Sequence, residues 1–405
     1  MKNVVSLLAI VPVLLSSCGG AGILPRMTEI SDFEVVQVIG VDKTGGNIEV
    51  TLVADRSAPA GGEGSSSQRT SEIVSFTGRT VVEAISQMDI YSDKRQHLGY
   101  VDFLLIGEEA ARDGITKYID FFTRDYESRY SANVFIIRDG AAKDFLIDTA
   151  SEDRSINDAL DNIDEAIAEL SISRLYRIID LVGALGIPYQ AAIVPALICT
   201  EVSHSEMIGG EMPKKIFEPA GFAVIRDFKL AGYYDRELSP AYNYLIGKAL
   251  SAPMTVKDPS GSYVALEIRQ ENLEFTATWD GDTLKGVKYD FLMFASLTEQ
   301  LSLDDIYTEA ALAVIADNVS REVEANIKAV IAKSMELGQD GFELGERVRL
   351  KTPLKWDKAA MDGKWGEVFP TLNIEVTVDT TVRRTYDLRE PTGMYRSKTV
   401  KGDKK

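Results

Sequence analysis

The sequence predicts an α+β protein of mixed sheets with packed helices in about three domains, the last a long amphipathic helix on a sheet. Two patterns carry this expectation. Between residues 72 and 137 short β-rich runs alternate with stretches of helical apolar spacing, as in strands with helices packed on them. Further along the period becomes two: Val264, Leu266 and Ile268, then Leu273, Phe275, Ala277 and Trp279, alternate with polar residues. A third observation concerns the surroundings. After Leu15 no long apolar run recurs, so the body is expected to lie outside the bilayer.

The chain opens on Lys2 and an uncharged apolar run, Val4 to Leu15. A run of about a dozen residues is short of the roughly 20 a bilayer span needs, but it suits a signal-peptide core. It ends in Leu15-Ser16-Ser17-Cys18, followed by Gly19-Gly20-Ala21-Gly22, which reads as a bacterial lipobox. Small residues at 16 and 17 let an extended backbone enter a peptidase cleft, and the Cys18 thiol is the nearby nucleophile for a diacylglyceryl group. Two acyl chains anchor a protein stably where one does not. Residues 1–17 are therefore expected to be a lipoprotein signal peptide, Cys18 the lipid attachment site and 18–28 a tether.

An N-terminal α/β-rich domain is expected over 29–203. Val35 to Val41 and Ile48 to Ala54 read as a hairpin around Asp42-Lys43-Thr44-Gly45-Gly46-Asn47. Ser57 to Thr70 is a glycine- and serine-rich loop. Thr80 and Glu83 form a capping-box pattern for a helix presenting Val82, Ile85 and Met88. Val101 to Ile106 and Asn133 to Ile137 are strands, separated by a helix that opens on Glu108 and Glu109 and carries Ala111, Ile115, Ile119 and Phe122. Two amphipathic helices follow within Ser155 to Leu185, and Tyr189 to Thr200 returns as a strand. Val202 to Lys215 reads as a linker.

A middle hairpin-rich domain is expected over 215–300, starting with a β-pair at Gly221 to Arg226 and Phe228 to Gly232 and a short helix at Tyr242 to Ile246. The C-terminal domain, 301–388, combines a helix from a Ser302 cap to about Leu337 with a strand carrying Leu372, Ile374, Val376 and Val378. Residues 389–405 form a basic tail.

The formal charge is −18, from 44 basic and 62 acidic residues. Such a body is repelled by phosphates and anionic headgroups, so no nucleic-acid partner is expected and membrane contact falls to the lipid anchor. Cys199, in an apolar strand-like run, reads as an inert thiol. His97 and His204 have no evident partners and no zinc-site spacing. No hydrolase, zinc-protease, dinucleotide or calcium-loop motif occurs, so no catalytic residue, metal or cofactor is expected. Adjacent Glu108 and Glu109 point apart at a helix start and suit the helix dipole better than acid-base work. The charge-dense turn Arg124-Asp125-Tyr126-Glu127-Ser128-Arg129 is either a local ion-pair network or a contact surface. Arg124, Asp125, Glu127 and Arg129 are the candidate partner residues.

Several dispersed segments, in order, resemble the Ger(x)C family, the GerAC-type lipoprotein subunit of spore germinant receptors. They are Ile39-Gly40-Val41-Asp42, Thr77-Gly78 with Glu83-Ala84, and Leu105-Ile106-Gly107-Glu108-Glu109-Ala110 with Gly114-Ile115 and Arg124-Asp125. Gly221, Leu230, Gly232 and Gly247-Lys248 follow, then Asp340-Gly341-Phe342-Glu343-Leu344-Gly345 and Trp356. The chain departs from the family in lacking Trp-Asp after the lipid cysteine. It also has Tyr100 where the family places a histidine before the Leu-Ile-Gly strand.

The resemblance implies three α+β domains and a non-catalytic subunit held on the outer face of the spore inner membrane. It implies work beside GerA-type and GerB-type multi-pass receptor subunits in the response to small nutrient germinants. The alternative is a substrate-binding lipoprotein of a transporter. That class has two similar lobes, whereas the two halves of this sequence differ.

Overall fold

A computed structural model describes residues 33–57, 69–91, 94–150, 155–201, 215–249 and 251–383. The signal peptide, Cys18, the tether, the basic tail, His204 and all but the ends of the Ser57–Thr70 loop and Val202–Lys215 linker lie outside the described residues.

Among the described residues nine strands form the larger sheet: β1 (Phe33–Thr44), β2 (Asn47–Ser57), β3 (Arg69–Gly78), β4 (Arg95–His97), β5 (Phe103–Gly107), β6 (Asn133–Ile137), β7 (Ala192–Glu201), β8 (Lys215–Arg226) and β9 (Lys229–Tyr234). Their spatial order is β3-β2-β1-β5-β6-β7-β8-β9, with β4 paired to the start of β1. The four central strands are parallel, and an antiparallel pair flanks them on each side. Every residue of β5 is buried, as in a parallel strand covered on both faces. Leu104 and Ile106 point into one core, Phe103 and Leu105 into the other.

Six helices accompany these strands: α1 (Val81–Tyr91), α2 (Glu108–Gly114), α3 (Thr116–Arg124), α4 (Ala142–Thr149), α5 (Ile156–Leu170) and α6 (Ile178–Leu185). α1, α2, α3 and α6 cover the first face, while α4 and α5 cover the second. Thr80 Oγ1 accepts from Glu83 N at 3.1 Å, as the capping pattern predicts, but the Glu83 carboxylate turns to Arg79 N at 2.8 Å. The buried face of α1 is Val81, Ala84 and Met88, with Ile85 partly buried, and Val82 is exposed. The helix expected from Glu108 is broken at Gly114, where φ is +132°, and Ile115 N donates to Phe228 O at 2.8 Å, across the fold.

The second sheet runs β10 (Ala252–Lys257), β11 (Tyr263–Asp280), β12 (Thr283–Gln300) and β13 (Asn373–Arg383). β11 and β12 make a long hairpin that turns at Gly281, φ +58°. α7 (Ser239–Ile246) precedes it. α8 (Glu309–Glu336) lies on β10 and β13, burying Ala311, Ile315, Val319, Val323, Ile327 and Val330. Short helices α9 (Leu344–Lys351), α10 (Pro353–Lys358) and α11 (Trp365–Val368) lead to β13.

Three expectations are corrected here. β8 and β9, placed in a middle domain from residue 215, complete the first sheet: β8 pairs with β7 from Ala192↔Ile225 to Glu201↔Lys215. Residues Ala220 to Ile225 are buried, so this strand is too apolar to sit on an open edge. The boundary near Leu301 likewise divides a single sheet, since β12 and β13 pair from Gly286↔Asn373 to Ser296↔Arg383. The long helix starts at a Thr308 cap, whose Oγ1 accepts from Ala311 N at 3.2 Å. Ser302 is occupied elsewhere, donating to Asp258 Oδ2 at 2.6 Å.

One core joins the two sheets. Ile193 of β7 and Phe222, Val224 and Tyr234 of β8 and β9 pack with the inner faces of α8, β11 and β12.

Candidate functional site

The charged turn lies between α3 and β6. Asp125 Oδ2 accepts from Ser128 N at 2.9 Å, Ser128 Oγ at 2.8 Å and Glu127 N at 3.2 Å, closing an Asx-type turn. The remaining candidates face different ways. Arg124 reaches back along its helix to Asp120 at 2.8 Å, an exposed i,i+4 pair. Arg129 lies over the Tyr100 ring at 4.9 Å, and Glu127 faces His97 Nδ1 at 3.4 Å. Burial raises the neighbouring Asp102 carboxyl, and Arg129 pulls it down. The turn is thus a folded knob with local pairs, not one ion-pair network. Its crown is Tyr126, 91% exposed.

His97 corrects the sequence reading. Expected to be partnerless, it holds Glu127 and packs against Phe33 and Tyr100 at centroid distances of 5.5 and 5.6 Å. The parallel pairing of β4 with β1 places it there. Tyr100 therefore shares one cluster with His97 and Arg129. Cys199 is partly buried against Phe217 and its neighbours, and burial raises its thiol.

The dispersed segments resolve into joints. Asp42 caps the start of α4, accepting from Ala142 N at 2.7 Å and Lys143 N at 2.8 Å. Burial pushes its carboxyl up to about 6, with those N–H donors pulling the other way. Gly107 lies against it: a Cβ there would stand 2.0 Å from Asp42 Oδ1. Gly40 gives α4 room, since its Cβ would meet Ala142 and Leu146 at 3.1 Å. Glu108, expected only to offset the helix dipole, accepts from Asp139 N at 2.6 Å, Tyr233 Oη at 2.9 Å and Arg112 Nε at 2.9 Å. Its contacts tie α2 to the loop after β6 and to β9.

Asp340-Gly341-Phe342-Glu343-Leu344-Gly345 is the joint between the two sheets. Asp340 Oδ1 accepts from Leu344 N at 2.9 Å and Phe342 N at 3.3 Å; Oδ2 accepts from Gly345 N at 2.6 Å and Trp365 Nε1 at 3.1 Å. Its carbonyl accepts from Ala191 N, one residue before β7, at 3.0 Å. Burial raises the carboxyl to about 6 against these donors. Added Cβ atoms would stand 2.1 Å from Tyr234 Oη at Gly341 and 2.9 Å from the Trp365 ring at Gly345.

Residues 26–198 match the family described as Spore germination protein N-terminal domain, and residues 220–386 match Spore germination B3/GerAC like, C-terminal. The chain belongs to the Ger(x)C family. The putative spore germination protein YfkR of Bacillus subtilis (strain 168) is 21% identical over 367 residues, covering 88% of this Ger(x)C chain and 91% of that protein. The crystal structure of the GerBC protein has a similar fold, with a TM-score of 0.50 and 17% identity over 85% of this chain and 96% of that one. Among the described residues no helix is long and apolar enough to cross a membrane.

Proposed function

We propose that this protein is a lipid-anchored, non-catalytic subunit of a spore germinant receptor complex, required for the response to small nutrient germinants. Cys18 carries the lipid on the outer face of the cell membrane, which in the spore is the inner membrane. GerA-type and GerB-type multi-pass subunits are the partners. The observation that supports this reading most is the pair of spore-germination matches, which together span residues 26–198 and 220–386. Tethering confines the body to a thin layer above the bilayer and raises its effective concentration toward co-anchored subunits, so weak interfaces suffice.

Exposed charged turns suit such interfaces, because complementary charge supplies much of their specificity. The knob of Arg124, Asp125, Glu127 and Arg129 is the proposed contact. Arg124 holds only an exposed pair, while Arg129 lies on the Tyr100 ring and offsets the neighbouring Asp102 carboxyl, so the charge-reversed chain is checked for folding alongside germination.

Two experiments test the reading. Cys18→Ala is expected to release a folded protein from membranes and to abolish the nutrient response; full membrane retention in high salt would refute lipid anchoring. Arg124→Glu with Arg129→Glu is expected to impair germination at normal membrane levels of every subunit. Normal germination would remove the knob as the contact, and turnover of a substrate by the purified chain would overturn the non-catalytic assignment.

A further inference from the structure

Where the loop after α5 meets α6 and the joint, the surface opens into a cleft of about 690 Å³, within the range of small-molecule sites. One wall is the loop from Ser171 to Arg177. It is fixed from behind: Asn243 Nδ2 donates to Ser171 O at 2.8 Å and Ser173 O at 3.0 Å, and Ser251 N donates to Ser171 Oγ at 3.2 Å. Opposite stand Lys248, just past the end of α7, and Glu343 and Glu346 at the start of α9.

Arg174 dominates the cleft. Its guanidinium lies over the Tyr176 ring at 4.6 Å and the Tyr242 ring at 5.5 Å, and donates through Nη2 to Ile193 O at 3.2 Å. Among the described residues no carboxylate pairs with it, although the chain holds 62 acidic residues against 44 basic ones. The half-buried guanidinium Arg138, by contrast, pairs with Asp235 at 2.9 Å, and Arg112 pairs with Glu108. A partly desolvated cation held on two aromatic faces without a counter-charge favours an anion, and a planar guanidinium matches a carboxylate best.

The other charges narrow the choice. Asp180 is engaged by Arg177, and Glu346 by Arg349 and Tyr189, but Glu343 has no side-chain partner among the described residues. Its charge reaches both phenols beneath Arg174, helping burial to keep Tyr176 and Tyr242 neutral. A phosphate dianion would be repelled by these three carboxylates. A molecule with one carboxylate and one ammonium satisfies Arg174 and Glu343 together.

We propose that this cleft binds a small zwitterion, an amino acid, with its carboxylate on Arg174 and Lys248 and its ammonium on Glu343. The site stands apart from the charged knob and does not depend on the receptor assignment. Its specificity would come from the side chain lying against Ile179, Ala184 and Ile187, which also line the cleft.

The test is direct binding to the full-length chain in detergent micelles. The probes are the twenty amino acids, screened by saturation-transfer NMR and followed by calorimetry. At least one is expected to bind with Kd below about 1 mM. Removing its ammonium, or its carboxylate, is expected to cost more than about ten-fold in affinity. Arg174→Met keeps an apolar stem on the tyrosines and is expected to abolish binding; Lys248→Gln, on the exposed rim, is expected to weaken it without touching the fold.

No saturable amino acid overturns the proposal. So does binding unchanged in Lys248→Gln and in a folded Arg174→Met chain. Inorganic phosphate competing as well as the amino acid would show that a bare anion is recognised and would overturn the zwitterion assignment.

Discussion

Replacing Asp340 with alanine tests whether one carboxylate holds the two sheets together. The change leaves four N–H donors, from Phe342, Leu344, Gly345 and Trp365, facing a side chain that accepts nothing. The Phe342 bond, at 3.3 Å, is the weakest, so the cost rests on three. Stranding a buried donor costs about 1–3 kcal/mol, giving roughly 3–9 kcal/mol before relaxation. Against that stands the relief of removing a buried charge. A carboxyl raised from 3.8 to about 6 carries a deficit of about 3 kcal/mol at pH 7. The net loss expected at pH 7 is about 3 kcal/mol, a large share of a typical folding free energy.

Urea unfolding followed by tryptophan fluorescence is the assay, since Trp365 donates to this carboxylate and Trp356 packs on Trp365 at 5.2 Å. The pH dependence supplies a second, independent reading. Because the folded pKa lies above the unfolded one, the protonated form's contribution is fully present below about pH 4 and is lost as pH rises through about 6. Wild type should therefore gain on Asp340→Ala by about 1 kcal/mol between pH 7 and pH 5. Asp42, raised to a similar value, is present in both proteins and cancels. A loss under about 1 kcal/mol at pH 7 would refute the joint. A difference that shrinks on acidification would show that the donors, not burial, set the ionisation.

Gly107→Ala should destabilise by about 2 kcal/mol or more, because the new methyl collides with Asp42 Oδ1, whereas Gly183→Ala, with nothing within 4 Å, should be neutral or slightly stabilising; thermal unfolding of both decides. Thr308→Ala should cost about 1 kcal/mol through the lost cap of α8, measured by urea unfolding. Limited proteolysis should cut within Ser57–Thr70 and Val202–Lys215 before any core. The fragments should then co-elute, since β2 with β3 and β7 with β8 stay hydrogen-bonded across each cut, and separation of fragments under native conditions would count against the shared sheet.

What the sequence shows well is whatever depends on near neighbours. The alternation in β11 and the stripe from Ile315 to Val330 are local patterns, and both elements form where they predict. Pairing is different. Nothing in residues 215–234 says that their strands bond to β7 instead of to the hairpin that follows, because any apolar strand can serve either edge. The start of α8 shows the same limit: Ser302 and Thr308 are both sound caps, and the choice is made by Asp258, 44 residues before Ser302. His97 looked partnerless because Glu127 and Phe33 reach it only through the β1–β4 pairing. The cleft at Arg174 had no sequence signal, for its cation and its unpaired acid come from segments brought together by the joint.

The segments that carry the family resemblance hold two kinds of residue, those that form joints and those proposed to act, such as Arg124, Lys248 and Glu343, and the two kinds are constrained differently for a physical reason. Gly107 with Asp42, Gly341 with Tyr234, and Gly345 with Trp365 are steric pairs in which a side chain cannot grow on one member without displacing the other. Such pairs specify how strands, helices and sheets meet. They say nothing about what the finished surface contacts. Arg124, Tyr126, Lys248 and Glu343 hold no core contact of that kind and can change without moving a sheet. A chain can therefore keep the joints of its family while changing its knob and its cleft, so partner and ligand choice should be sought there, on side chains the fold does not require.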